Sequence, residues 1–308
     1  MTTMMALRAH QRGGPEQLVY ESAPVPVPGP GEALVAVHAA GITFAELTWD
    51  LSWTTRDGRD RTPVIPAHEV SGVVSALAPG VAGLSVGDEV FALIDFDRDG
   101  AAAGSVTVPA AHLAARPATI SHTETATLPL AALTAWQALV DHAHLEDGDQ
   151  VLVLGGAGGV GVYAVQLAAA LGGQVTATGR DRQGEFIRSL GAQAFAAAET
   201  GLSGSFDVIV DTVGGAALDA SYDLLAPGGR LVTLGSQPSQ DKAAARGAHA
   251  TFFIVTPDAA ELAQLAGLVD EGRLRPVVSQ TFPLSEGRQA FESARVPRPP
   301  GKTVLIVR

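Results

Sequence analysis

Gln150-Val151-Leu152-Val153-Leu154-Gly155-Gly156-Ala157-Gly158-Gly159-Val160-Gly161 opens the most informative segment of this chain. Val151 to Leu154 is a continuous apolar run of strand length, and Val160 to Leu171 is an uncharged stretch of helix length. Between them, Gly156, Ala157, Gly158, Gly159, Val160 and Gly161 satisfy the pattern G-x-G-x-x-G. Alone the pattern is weak, but between a strand and a helix it acquires a physical meaning. The first glycine allows a tight turn, the second lets backbone approach a pyrophosphate, and the third permits close helix packing. The pyrophosphate then meets the N–H groups of the helix start. The bland alternative is a glycine-rich turn that binds nothing.

Working outward, Gln150 to Gly179 contains thirty residues without a charge. That exceeds the roughly 20 needed to cross a bilayer. The glycines at 155, 156, 158, 159 and 161, and again at 172 and 173, argue instead for strand, turn and buried helix, so no membrane segment is expected. Nineteen residues beyond Gly161 lies Arg180, in Gly179-Arg180-Asp181-Arg182. An acidic residue here would bind the ribose of NAD, whereas a cation would receive the 2′-phosphate of NADP. Arg180 and Arg182 therefore point to NADPH, and Asp181 keeps NAD open should its carboxylate face the ribose.

Strand and helix segments keep alternating after about Ala126: Val175 to Thr178, Glu185 to Leu190, Val208 to Asp211, Leu218 to Leu225 and Leu231 to Leu234. This is the signature of a parallel sheet covered by helices. Helices are predicted at Ala259 to Asp270 and Leu284 to Ala294, and strands at Val277 to Phe282 and Thr303 to Val307. The first 120 residues differ in texture. Leu34 to Ala39, Glu69 to Ser75, Glu89 to Leu93 and Ser105 to Val108 are short β-type runs broken by proline and glycine, which reads as a small β-barrel-like domain. Pro24 to Gly31 reads as a stiff, extended lead-in to the strand at Leu34.

Composition narrows the function. With 32 acidic against 20 basic residues and a formal net charge of −12, no nucleic-acid surface is expected. The absence of cysteine excludes disulfides, thiolate zinc sites, iron–sulfur clusters and cysteine nucleophiles. Met1 to Gln11 lacks a signal-peptide pattern, so a cytoplasmic location is the expectation. A length of 308 residues suits two domains.

Further motifs extend nearly end to end: Pro28-Gly29-Pro30-Gly31-Glu32, Ala39-Ala40-Gly41-Ile42, Ala67-His68-Glu69-Val70-Ser71-Gly72 and Val86-Gly87-Asp88-Glu89-Val90. Ala126-Thr127-Leu128-Pro129-Leu130, Leu133-Thr134-Ala135-Trp136, Leu190-Gly191-Ala192, Gly228-Gly229-Arg230 and Gly301-Lys302-Thr303-Val304-Leu305 follow. In order and spacing the chain resembles the medium-chain dehydrogenase/reductase superfamily, in its zinc-free quinone oxidoreductase and enoyl reductase branch. The resemblance implies an α/β protein with a GroES-like β-barrel catalytic domain (residues 1–125 and 257–308) and a Rossmann doubly wound parallel-sheet nucleotide domain (residues 126–256). It further implies a substrate cleft between the two and a homodimer paired through sheet edges, with Thr251 to Val255 as the candidate edge.

In zinc-dependent members of that superfamily His68 would be a ligand, but the positions matching their cysteines hold Thr43 and Leu130, so no metal is expected. Without a Lewis acid, conjugated acceptors become the natural substrates, because hydride charge delocalises onto oxygen where ordinary donors stabilise it. The resemblance places nicotinamide contacts at Thr134, Val213, Gly235, Phe253 and Val255, core packing being the alternative for the last two. The tyrosine that enoyl reductases often use is missing, leaving Thr43, Glu46, His68 or water for proton delivery, with His68 also readable as structural. Trp49 and Trp53, four apart, would share a helix face and either stack on a flat substrate or fill the core. Arg56 to Arg61 reads as a solvated loop. The expected activity is NADPH-dependent reduction of a quinone or enone. A metal-dependent alcohol dehydrogenase and a catalytically silent NADP(H)-binding redox sensor are the competing readings.

Overall fold

Short β segments separated by tight turns favour antiparallel pairing, since hairpins need no long crossover. The computed structural model describes residues 2–197 and 202–308, so Met1 of the stretch read for a leader lies outside it. In the first unit Glu32–Ile42 is the organising strand. It pairs antiparallel with Glu69–Leu77, Ser105–Pro109 and Lys302–Ile306. Glu89–Leu93 and Ala114–Ala115 continue the sheet on one side, and Val278–Pro283 runs parallel to Lys302–Ile306 on the other. Alternation along Glu32–Ile42 puts Ala33, Val35 and Val37 into the core, each fully buried. Burying each valine contributes about 1.5–3 kcal/mol.

Because a C-terminal strand completes this sheet, the unit runs to Leu130 and resumes at Thr256, while Ala131–Val255 forms the second unit. The first boundary thus lies five residues beyond the one expected at 125/126. Leu130 explains the difference: its N–H donates to Glu69 Oε2 at 3.0 Å, tying the segment to the first unit.

The second unit carries six parallel strands among the described residues, in the order Ala194–Ala197, Gln174–Gly179, Gln150–Leu154, Phe206–Asp211, Leu225–Thr233, His249–Phe252. The winding direction reverses between Gln150–Leu154 and Phe206–Asp211. Such a switch point opens a crevice at the carboxyl ends of the strands. The helix Gly161–Ala170 packs against Ala131–Gln137 and the sheet, with every residue from Gly161 to Ala168 buried, which is why it lacks charge. No helix of the described residues is long and apolar enough to cross a membrane. The candidate edge strand is realised slightly earlier than expected, as His249–Phe252 at the sheet edge.

Within the first unit, the rings of His38 and His122 lie 4.3 Å apart, with Ser71 Oγ 2.7 Å from His122 Nδ1 and Glu89 Oε1 3.5 Å from its Nε2. Burial, then Arg308, lowers the pKa of His38, and burial, then His38 and Arg116, lowers that of His122. Both rings are therefore held neutral below the ordinary imidazole value of about 6.5. The stability this contributes is fully present above that value and is lost as pH falls through the folded-state values. Thermal unfolding from pH 7.5 to 5 should show a loss on the acid side that is smaller in His122→Asn; an identical acid limb in the variant would contradict this assignment.

Candidate cofactor cradle and buried polar network

In the second unit the strand Gln150–Leu154 delivers the glycine turn to the switch point. Its positive backbone angle sits at Gly155 (φ 82°), one residue before the motif's first glycine. Gly156 instead packs against the next strand, where a Cβ would come 2.9 Å from Ala177 Cβ. At Gly161 a Cβ would overlap Gly155 O, so the helix can start this close to the turn only with glycine there. Gly155 N–H donates to Thr178 Oγ1 at 3.0 Å and Gly156 N–H to Thr178 O at 2.8 Å. The N–H groups of Ala157, Gly159, Val160 and Gly161 have no acceptor among the described residues. Four unpaired amides at a helix start form an anion cradle, and they fit a dinucleotide pyrophosphate. At the end of Gln174–Gly179, Arg180, Asp181 and Arg182 are all exposed, and none is in an ion pair among the described residues.

Across the switch point Asp211, fully buried, organises the loop that carries Val213. Asp211 Oδ1 accepts from Val213 N–H (3.0 Å) and Gly214 N–H (2.9 Å), and Oδ2 accepts from Thr233 Oγ1 (2.8 Å). Val213 is 57% exposed, and Gly235 is exposed too. Thr134 and Val255 are buried, while Phe253 is half-buried, 4.2 Å from the His142 ring. Replacing Asp211 by Ala should cost about 3 kcal/mol, because several buried donors lose their acceptor; unfolding in denaturant that matched the parent would refute this.

In the first unit two buried carboxylates hold a polar network. Glu46 Oε2 accepts from Ala67 N–H (2.9 Å) and lies 2.8 Å from His68 Nδ1, while His68 Nε2 lies 3.3 Å from Arg98 O. His68 is thus engaged on both nitrogens and 3% exposed, the arrangement of a structural residue. Ala67 is held at φ 71°, a strained region for a residue with a Cβ, where its N–H can reach Glu46. Glu69 contacts Lys302 Nζ through Oε1. Burial pushes the Glu69 carboxyl up and Lys302 opposes that. Lys302 Nζ also donates to Thr43 Oγ1 at 3.1 Å. The register explains the meeting: Thr303 pairs with Ile42, so the next residue on each strand is Lys302 and Thr43.

Trp49 and Trp53 do not share a helical face. Trp49 precedes the short helix Asp50–Trp53 in an extended conformation (ψ 137°), with its ring 5.1 Å from that of Phe96. Trp53 is 2% exposed and its indole N–H donates to Leu47 O at 2.9 Å, so it fills the core rather than meeting a substrate. Arg61 likewise departs from the solvated loop expected for residues 56–61: its side chain is 8% exposed and donates to the carbonyls of Leu51 and Ser52.

A family model described as alcohol dehydrogenase GroES-like domain matches residues 29–118, and one described as zinc-binding dehydrogenase matches residues 183–305. A probable zinc-binding oxidoreductase, mitochondrial, of Arthroderma benhamiae is 30% identical over 94% of this chain and 93% of its own length. The chain belongs to the medium-chain dehydrogenase/reductase superfamily. Among solved structures it is similar to the quinone oxidoreductase from Coxiella burnetii, with a TM-score of 0.92 and 29% identity over 100% of both chains. It is also similar to CurK enoyl reductase, with a TM-score of 0.88 and 26% identity over 99% of both. These neighbours put it in the quinone oxidoreductase and enoyl reductase-like branch. The spectinabilin polyketide synthase system protein NorB of Streptomyces orinoci is 36% identical over 90% of this chain, which spans 13% of that protein's length.

For this medium-chain oxidoreductase, sequence reasoning missed Lys302 and Asp211. Lys302 stood in view only as part of a closing motif, and nothing local connects it to Glu69. Asp211 did carry a signal, an acid ending an apolar strand just before Thr212-Val213-Gly214-Gly215.

Proposed function

We propose that this oxidoreductase is an NADPH-dependent reductase that transfers hydride to a quinone or an α,β-unsaturated carbonyl without a metal. The observation that carries the reading is the chemistry at the positions where zinc-dependent relatives hold ligands. Thr43 accepts from an ammonium group, His68 has both nitrogens engaged, and Leu130 offers only its backbone. A cation 3.1 Å from Thr43 Oγ1 opposes a second one beside it. Bound NADPH supplies the hydride. The chain contributes the amide cradle at Ala157 to Gly161 for the pyrophosphate, the exposed Arg180 and Arg182 for the 2′-phosphate, and the loop carrying Val213, set by Asp211, beside the ring. The name of the enoyl reductase neighbour and the polyketide synthase relative favour the enone over the quinone. A homodimer through the edge strand His249–Phe252 and a cytoplasmic location belong to the same reading.

Paired NADPH and NADH titrations, followed by turnover with 1,4-benzoquinone, 9,10-phenanthrenequinone and simple enones under chelation, test it. Preferential NADPH binding and chelator-resistant turnover are expected; turnover abolished by the chelator and restored by zinc would favour a metal-dependent alcohol dehydrogenase. Binding without turnover would favour a sensor. The double substitution Arg180→Ala/Arg182→Ala should weaken NADPH binding roughly 10- to 100-fold, the loss of charge-assisted bonds to a phosphate, and leave NADH nearly unchanged. Equal losses for both cofactors would remove the arginines from 2′-phosphate recognition.

A further inference from the structure

The geometry points to Gln183 as the residue that sets cofactor preference, by holding Arg180 in the extended conformation that sends its side chain, and not that of Asp181, toward the 2′-phosphate. The inference rests on the NADPH reading above and lies wholly within the second unit. It answers the choice between Arg180 and Asp181 that the residue types alone leave open.

The strand Gln174–Gly179 sends alternate side chains to opposite faces of its sheet. On one face Thr178 reaches the glycine turn, its Oγ1 accepting from Gly155 N–H at 3.0 Å. Arg180 lies two residues on and its backbone is still extended (φ −73°, ψ 149°), so its side chain leaves the chain on the same side as Thr178. Asp181 is the first residue of the tight helical turn Asp181–Gln183, where that alternation has ended. Were Arg180 drawn into the turn, it would lose its direction and leave the Asp181 carboxylate to contend for the ribose.

Gln183 fixes the boundary between strand and turn. Its Oε1 accepts from Arg180 N–H at 2.9 Å, and its own N–H donates to Arg180 O at 2.8 Å, so one residue holds both backbone polar groups of Arg180. The side-chain half of this pairing is the way a Gln or Glu in a first helical turn caps the residue before it. Glycine at the strand end leaves room for it, since a Cβ on Gly179 would lie 3.1 Å from Gln183 Oε1. The atom facing an N–H donor must be the oxygen, which turns Nε2 away from Arg180. Nε2 has no acceptor among the described residues and is not buried. Glutamate would cap equally well, but its second oxygen would set a negative charge beside the cation that receives the phosphate.

The test is titration of the full chain with NADPH and NADH. Arg180→Ala should weaken NADPH binding about 10-fold, the loss of one charge-assisted bond to a phosphate, with NADH nearly unchanged. Gln183→Leu, similar in size but unable to accept from Arg180 N–H, should reproduce most of that loss. Adding Arg180→Ala to Gln183→Leu should then cost less than about 3-fold more, because Gln183 acts through Arg180 and coupled residues are not additive. Gln183→Glu keeps the cap and adds a charge, so relative to the parent it should lose NADPH affinity at low ionic strength and recover it in high salt. A loss in Gln183→Glu that persists in high salt would mean that the capping oxygen is not what holds Arg180, and would overturn the proposal. Equal losses for both cofactors in Gln183→Leu, with full additivity on Arg180→Ala, are what a merely structural role predicts and would overturn it as well. Unchanged NADPH affinity in Gln183→Leu would do the same while a wild-type preference for NADPH left the reading above intact. Wild-type protein that bound NADH as tightly as NADPH would overturn that reading, and the inference with it.

Discussion

Lys302→Met should destabilise the first unit by about 3–5 kcal/mol, the effect expected when one partner of a buried ion pair is removed. Glu69 is 1% exposed and Lys302 6%, so the carboxylate left behind is shielded from water and has lost its counter-charge. The Leu130 N–H still donates to it, and one amide cannot balance a full charge. The loss corresponds to roughly 10 °C in Tm for a unit of this size. Glu69→Gln/Lys302→Met should recover most of it, because the glutamine amide is neutral and its oxygen still accepts from Leu130. Denaturant unfolding of the single and double variants checks both statements. A double variant no more stable than Lys302→Met would mean that the lysine acts through packing of its alkyl stem, not through charge.

The second large effect is expected at Gly161. Gly161→Val should weaken binding of either nicotinamide cofactor by 100-fold or more. Its Cβ would overlap Gly155 O and lie 3.0 Å from Gly156 Cα, all backbone, so no side chain can swing aside. The helix start must move away from the turn, and the unpaired amides at Gly159, Val160 and Gly161 lose their common focus. Because the clash lies within the second unit, the hydrogen bonds of the first should be unaffected, and hydrogen exchange at Val35 and Val70 should match the parent. Cofactor titration by fluorescence or calorimetry is the direct measurement. Affinity within a few-fold of the parent would show that the pyrophosphate is not held by this turn.

What could be read in advance follows the range of the interactions involved. The strand Gln150–Leu154, the helix Gly161–Ala170 and the helix Ala259–Asp270 were legible because apolar runs and glycine punctuation act over a few residues. The alternation of such segments was enough to specify a parallel sheet, and the composition ruled out thiolate chemistry without any coordinates. Short segments were harder. Trp49 and Trp53 have helical spacing, yet the helix there is four residues long and starts after Trp49, since a segment this short takes its conformation from what it packs against.

The amino-acid sequence by itself therefore determined the nucleotide-binding unit, the glycine cradle and the arginines beside it, all features built from neighbours along the chain. Tertiary structure alone decided which polar groups meet in the first unit. Thr43 and Lys302 are 259 positions apart, and they touch because the strand Lys302–Ile306 pairs antiparallel with Glu32–Ile42 in one particular register. A shift of one residue would send Lys302 to the other face of the sheet. That register depends on the burial of whole strands, which no local pattern around Lys302 encodes.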